Sequence, residues 1–582
     1  MKKKITLISL LAGVMLLMSS CDDIFDIERV GAITPEQMWG SPELITKYVN
    51  NFYGILPAWD RMDIVSAESN FADMTTSSFL KGIMTSTDTY PGSVWNYGTV
   101  RTINEFFEKM KSSTANFATG EKERLMGQAY FFRAYHYYRM LQCFGGVPVI
   151  TNVQNPAADI ESLYVKRNSS LETFNFIAGQ LDSAIMNLPV RGASGYGAER
   201  ITKAAAMVMK AKLLLLKASP LFCKTSNLQY WTDAYTAFSA AKAELDTEGY
   251  GFYQDGTKKA TENMWYKKTE ALKEMVIYIA YNDPLKTNGH QRAQLPISMS
   301  SGDTGGQQPT WELVQAFPMK DGKDISESAD YDATMFWKNR DPRFYNTIVF
   351  NGAVYGLGSS KRRQWNFQEN TVDGYKGTDG TYTGFYCRKG IDTTYVKGSS
   401  TKPFENQAID WAVIRYPEVL LDLAECANQL DVHRAEAKSL IIPIRQRAGI
   451  EAGAGNYGLA AGVGSDKSTT LKAIMKERQI EFAYEGKRYW DLRRLRMFTE
   501  LNAMQHLHGM ATSLNKAGLM ALGLPGITET SSIDAIMNAL TTALNQPGAD
   551  VDSIIKQVTN FTPEIIDNSG VGTIAIPDKY YF

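Results

Sequence analysis

Cysteine and histidine are nearly absent from this sequence, and an excess of positive charge is missing altogether. Five cysteines occur in 582 residues, too few and too scattered for a disulfide framework, and none forms a C-x-x-C pair. The five histidines include one close pair, His506 and His508. On a helix, positions i and i+2 point about 200° apart and cannot share a metal. No cysteine or acidic cluster completes a ligand set there, so neither a metal nor another cofactor is expected. Lys plus Arg is 61 against 62 for Asp plus Glu, which leaves no surplus to hold a phosphate backbone, and nucleic acid is not an expected partner. Neither a G-x-S-x-G elbow nor a G-x-x-x-x-G-K-[ST] loop appears. Long apolar runs are lacking too. The longest, Ile5 to Met18, is about 14 residues, short of the roughly 20 that span a bilayer.

That run belongs instead to a leader. Lys2, Lys3 and Lys4 precede it, and Ser19 and Ser20 follow, giving the basic, apolar and small-residue parts of a secretory signal over 1–20. Cys21 comes next and resembles the lipobox cysteine of bacterial lipoproteins, which is lipidated and becomes the mature N-terminus. Several acyl chains on one cysteine anchor firmly, at about 0.8 kcal/mol per buried methylene. Loss of the leader removes three lysines and leaves 58 cations against 62 anions, a net charge of −4. Asp22 and Asp23 resemble the export signal of surface-displayed Bacteroidota lipoproteins.

The mature part reads mostly helical. Leu125, Ala129, Phe132, His136 and Met140 form one stripe at helical spacing, closed by Gly145-Gly146 and Pro148. Further helices are expected from near Ser169 to Leu188, Ala204 to Ser219, Trp231 to Leu245, Pro417 to Leu430 and Ala435 to Ala448. Such repeated pairs resemble degenerate tetratricopeptide repeats. The stretch of about 285–410 is rich in Gly, Ser, Thr, Asn, Asp and Tyr. It reads as loops and short hairpins over a helical scaffold, the usual place for binding residues. The chain also holds 30 Tyr, 26 Phe and 10 Trp, whose flat faces and polar tips suit sugar rings and peptide backbones.

Five segments together resemble the SusD/RagB family of nutrient-binding outer-membrane lipoproteins. They are GQAYFFRAYHYYRMLQCFGGVPVI at Gly127–Ile150, ITKAAAMVMKAKLLLLKASPLF at Ile201–Phe222, RDPRF at Arg340–Phe344, IRYPEVLLDLAECANQL at Ile414–Leu430, and IMKERQIEFAYEGKRYWDLRRLRMF at Ile474–Phe498. The resemblance implies a mainly α, single SusD-like domain over 21–582, built on tetratricopeptide-like helix pairs with a loop-rich ligand face. It also implies an outer-membrane location and a partner, a TonB-dependent SusC-like β-barrel to which oligosaccharide or peptide is delivered. Two departures stand out. About eighty residues follow the WDLRR helix where the family has a short tail, leaving an insertion of about 499–570 without a role, and the family's closing Asn-Pro-Gly-Tyr is absent.

Glu477, Glu481 and Glu485 fall on one helix face, the raw material of a glycosidase pair. Arg478, Lys487, Arg488, Arg493 and Arg494 crowd the same segment, which favours ionised, paired carboxylates over a protonated acid. The sequence therefore reads as a binder and not an enzyme. Trp95, Asn96 and Tyr97 are the first ligand-binding candidates: two aromatic faces with an amide between them, in a Pro/Gly-flanked stretch. Asp73, in the preceding loop, resembles a family position that accepts sugar hydroxyl hydrogens. Trp365, among Lys361, Arg362, Arg363, Gln364 and Asn366, is expected at the rim of the ligand face. His290, Arg292 and Tyr355 are further loop candidates, whereas Trp337, beside RDPRF, is expected to pack. The aromatic-rich loops favour a glycan over a peptide. A non-enzymatic adaptor built on helical repeats stays open as an alternative.

Overall fold

A computed structural model describes residues 33–59, 64–70, 78–84, 94–300, 302, 305–395, 407–566 and 573–581. The leader, Cys21 and Asp73 lie outside the described residues.

Local signals start most of the helices. After α1 (Pro42–Asn50), Asn96 caps α2 (Tyr97–Ser112) through its side chain. The long α3 (Glu121–Phe144) ends where Gly145 takes φ 72°, a left-handed turn that glycine adopts without strain. A Ser169/Glu172 capping box opens α4 (Ser170–Asn187), Thr202 caps α5 (Lys203–Ala218), and Asn227 caps α6 (Leu228–Thr247). Such caps contribute about 1 kcal/mol each. Successive helices pack on one another, α3 on α4, α4 on α5 and α5 on α6. Ala204, Ala205, Ala206 and Ala211 are wholly buried on α5, and their small side chains let the neighbouring helices approach closely. Each of these helices lies within a few residues of its expected bounds.

The scaffold resumes after the loop-rich stretch. There α7 (Tyr416–Gln429) packs on α6, on α8 (Arg434–Ala448) and on α9 (Lys467–Glu481), and the short α10 (Arg488–Arg494) follows. From α10, Arg493 donates to the carbonyls of Gln142 (3.0 Å) and Cys143 (2.7 Å). It thereby satisfies C-terminal carbonyls of α3, which have no partner within their own helix. A two-stranded antiparallel sheet joins the parts, β1 (Met275–Ile279) against β2 (Trp411–Arg415), with every residue buried.

The region of about 285–410 contains short helices, isolated bridges and the two-residue pairing of Ile348–Val349 with Tyr386–Cys387. It also has its own aromatic core, which the sequence reading missed. Trp311, Phe336, Trp337, Phe350, Trp365 and Phe385 are buried together. The insertion helps to close this core. Strands β3 (His508–Leu514) and β4 (Thr559–Ile565) form an antiparallel hairpin stem. Between them, α11 (Ile533–Leu544) and α12 (Val551–Val558) contribute Ile536, Leu540, Leu544, Ile555 and Val558 to the same cluster.

Candidate functional site

Glu477, Glu481 and Glu485 are each 3% exposed or less and are held by cations on several sides. Glu477 meets Arg343 and Arg445, both at 2.7 Å. Glu481 meets Arg343 and Arg415 at 3.0 Å and also Arg447. Glu485 meets Arg415 at 2.7 Å and Lys389 at 2.6 Å. A second cluster continues through the scaffold: Lys212 with Glu418 and Asp422, Arg478 with Asp422 and Asp491, and Arg494 with Glu425 and Asp491. Burial alone would raise the three carboxyl pKa values. The surrounding guanidinium and ammonium groups outweigh it and hold all three below the ordinary carboxylate range. They stay ionised near neutrality and cannot act as a general acid. This segment is scaffold, as its interleaved charges indicated.

The histidine pair has a different setting from the helical one considered above. His508 opens strand β3, and His506 lies in the bend before it. Its Nδ1 is engaged by Glu312 Oε1 at 2.6 Å, and its backbone N–H donates to the same carboxylate. No group of three or more His, Cys, Asp or Glu side chains suited to a metal occurs among the described residues.

Trp95 is 49% exposed, just before the start of α2. Its indole meets Phe144 edge-on (5.0 Å, 89°) and Tyr97 at 5.6 Å and 69°. The Tyr97 hydroxyl donates to the Pro148 carbonyl at 2.7 Å. The Asn96 carbonyl faces His136 Nε2 at 2.8 Å, and burial lowers the His136 pKa, so the ring is neutral. Asn96 Oδ1 accepts from Thr99 N–H at 3.2 Å to cap α2. That oxygen is therefore engaged; the Trp95 ring is exposed and the Tyr97 ring half-buried.

Trp365 corrects the sequence reading. It is 4% exposed, stacks on Phe367 (5.3 Å, 8°) and donates from Nε1 to Thr541 Oγ1 on α11 at 2.9 Å. A wall supplied by the insertion makes it a core residue and not a rim residue. Tyr355 and His290 are likewise buried. Trp337 packs as expected, with its Nε1 donating to Asp552 at 2.9 Å.

A polar cleft of about 280 Å³ lies beside His290, lined by Trp59, Tyr281, Asn288, Gln294 and Gln307. Trp59 stacks on His290 with centroids 3.2 Å apart, and its buried Nε1 has no hydrogen-bond partner. Gln294 Nε2 donates to Gln307 Oε1 at 2.6 Å. Burial drives the His290 pKa down to about 3, so the cleft carries amides, an indole N–H and a neutral imidazole. Such groups pair with hydroxyls without demanding charge. The sequence reading singled out His290 but not Trp59; Asn288, His290 and Gln294 within one short stretch were the available signal.

The molecule is thus a mainly α scaffold of stacked helix pairs with a loop-built face, in which Glu477, Glu481 and Glu485 are committed to the scaffold. Comparison with known proteins specifies the class. A profile described as "SusD family" matches residues 242–521, and one described as "Starch-binding associating with outer membrane" matches 40–215. The chain belongs to the SusD/RagB family. It is 22% identical to SusD-like protein P2 of Formosa agariphila, over 91% of this chain and 98% of that one. A SusD-like protein of Bacteroides fragilis shares its fold at TM-score 0.67 and 25% identity, with 82% of this chain and 90% of that one covered. A laminarin-binding SusD-like protein matches at TM-score 0.54 and 18% identity, covering 80% and 93%. No helix among the described residues is long and apolar enough to cross a membrane.

Proposed function

We propose that this protein is a surface-exposed, lipid-anchored glycan-binding protein of the outer membrane that captures oligosaccharide and passes it to a TonB-dependent SusC-like β-barrel. Cys21 is the anchor in this reading, and the captured chain stacks on Trp95, with Asp73 accepting hydroxyl hydrogens. The observation that carries it is the Trp95 indole. It is a large aromatic face left half-exposed and held edge-on against Phe144, in a family whose profile is described as starch-binding. A fixed aromatic platform binds a sugar ring with little loss of side-chain entropy.

The test is glycan binding by the full chain, measured calorimetrically on starch and laminarin oligosaccharides. Trp95→Ala is expected to weaken the bound glycan by tenfold or more with Tm unchanged. Equal affinity in the variant would remove Trp95 from the site, and no binding of any neutral glycan would overturn the glycan reading. Co-purification from detergent-solubilised outer membranes tests delivery: recovery without a stoichiometric large barrel would sink the assembly.

A further inference from the structure

A second cleft, away from Trp95, has a charge pattern that the glycan reading does not use. It encloses about 630 Å³, within the range of small-ligand sites. RDPRF and its neighbours form one side, and Val551, Asp552 and Ile555 of α12 contribute to the other. Seven basic side chains and a single carboxylate, Asp552, line it; Arg388 is paired with Glu262 at 2.8 Å behind the wall, and the remaining six leave the walls with a net positive charge. This contrasts with the whole chain, in which the two signs are nearly equal.

Two of those charges are unusual. Arg340 is 2% exposed and Arg363 8%, and buried guanidinium groups normally face a carboxylate. Among the described residues, neither has one within 4 Å. Arg340 donates to the carbonyls of Phe336 (2.6 Å), Val314 (2.7 Å) and Phe317 (2.6 Å). Arg363 donates to those of Gly352 and Leu544 and to the Asn545 side chain. Carbonyl dipoles solvate these cations without cancelling their charge. Burial lowers the Arg340 pKa to about 10, which leaves it protonated at neutral pH.

Around the mouth, Lys258 and Lys259 are exposed and, among the described residues, have no carboxylate within ion-pair distance. Lys320 and Lys338 have only loose partners, Glu451 at 3.5 Å and Asp552 at 4.0 Å. Asp552 also accepts the Trp337 indole N–H. Two fixed cations in a low-dielectric wall, with mobile ammonium groups at the rim, focus positive potential into a concave site. The floor is apolar. Tyr345 is 38% exposed, and its hydroxyl donation to the Trp337 carbonyl at 2.6 Å holds the ring in place.

From this geometry we infer that the cleft is a second saccharide site, selective for acidic oligosaccharides that carry carboxylate or sulfate groups. Their charged groups would meet Lys258, Lys259 and Lys338 while a ring lies against Tyr345. The saccharide part of this assignment rests on the glycan reading above; the anionic part rests on the cleft alone.

The probes are oligogalacturonate, sulfated dextran oligosaccharide, its unsulfated counterpart and inorganic polyphosphate, each titrated into the full chain. The variant is Lys258→Gln/Lys259→Gln/Lys338→Gln, all solvent-facing positions, with Tm as the check on folding. At least one acidic oligosaccharide is expected to bind, to weaken tenfold or more in the triple variant, and to weaken as salt is added. Trp95→Ala should leave that binding unchanged. Absence of binding by both acidic oligosaccharides, or equal affinity in the triple variant, overturns the site. Polyphosphate binding as tightly as the acidic sugars overturns its saccharide assignment. Failure of the Trp95 platform would register separately, in the neutral-glycan titrations.

Discussion

Among single residues, Glu68 carries the most distinctive expectation. It is 2% exposed, accepts from Ser66 Oγ at 3.2 Å and meets the Arg488 cation at 3.6 Å, with Gln479 and Lys389 also acting on it. Burial outweighs these partners and pushes its pKa up to about 7. A carboxyl raised in the folded state keeps its proton after the unfolded chain has lost its own. Its contribution to stability is therefore full below about pH 4.5 and declines as pH rises towards 7. Between about pH 5 and 8 the native chain should lose more Tm than Glu68→Gln; parallel profiles would remove Glu68 as the cause. The Glu477, Glu481 and Glu485 group behaves in the opposite sense, because its cations outweigh burial. That contrast was half legible in the sequence. Interleaved arginines marked the trio as paired, whereas nothing near Glu68 announced its burial. Trp365 was misread for a related reason. Its charged neighbours suggested a surface, but Arg362 turns to Asp373 and Arg363 to backbone carbonyls. A local charge run cannot reveal that α11, far along the chain, covers the indole.

At the scale of elements, the helices could be read because their starts and stops are local chemistry. Ser169, Thr202 and Asn227 act at short range as caps, and the apolar stripes set the faces between them. The loop-rich region could not be read this way. Its aromatic residues pack on one another and also reach partners more than a hundred positions distant, Trp365 meeting Thr541 and Trp337 meeting Asp552, and period alone does not identify such partners. Two glycines show how context divides one residue type. Gly179 lies mid-helix in α4, and nothing stands within 4 Å of a Cβ built there. Gly179→Ala should stabilise by about 0.5–1 kcal/mol through helix propensity. At Gly146 an added Cβ would stand 2.1 Å from the Asn168 carbonyl oxygen, where the chain after α3 presses on the start of α4. Gly146→Ala should therefore destabilise. Urea denaturation of both variants reads the two signs, and a shared sign would contradict the packing described.

For the molecule as a whole, the insertion is structural before it is anything else. Leu540, Leu544, Ile555 and Val558 complete a core with Trp311, Phe336 and Trp337. Removing 515–558 and closing the β3–β4 stem with a short turn should expose that core, lowering Tm and raising binding of a hydrophobic dye. A variant with unchanged Tm would make the segment a detachable appendage. The family segments marked the scaffold but could not assign this stretch, which departs from the pattern they follow.

The bonds from Arg493 to the end of α3 span 351 and 350 positions, and those from Lys212 to Glu418 and Asp422 span 206 and 210. They bear on the order in which the chain is made. When α3 leaves the ribosome, the cation that completes its C-terminus does not yet exist, and the same holds for the carboxylates that neutralise Lys212. The early helices therefore emerge with open ends and unpaired charges, and long-range closures of this kind form slowly. Until residue 493 arrives these two closures cannot both form, so the early helices, although they pack on one another, reach their final arrangement only when the C-terminal part of the scaffold is made.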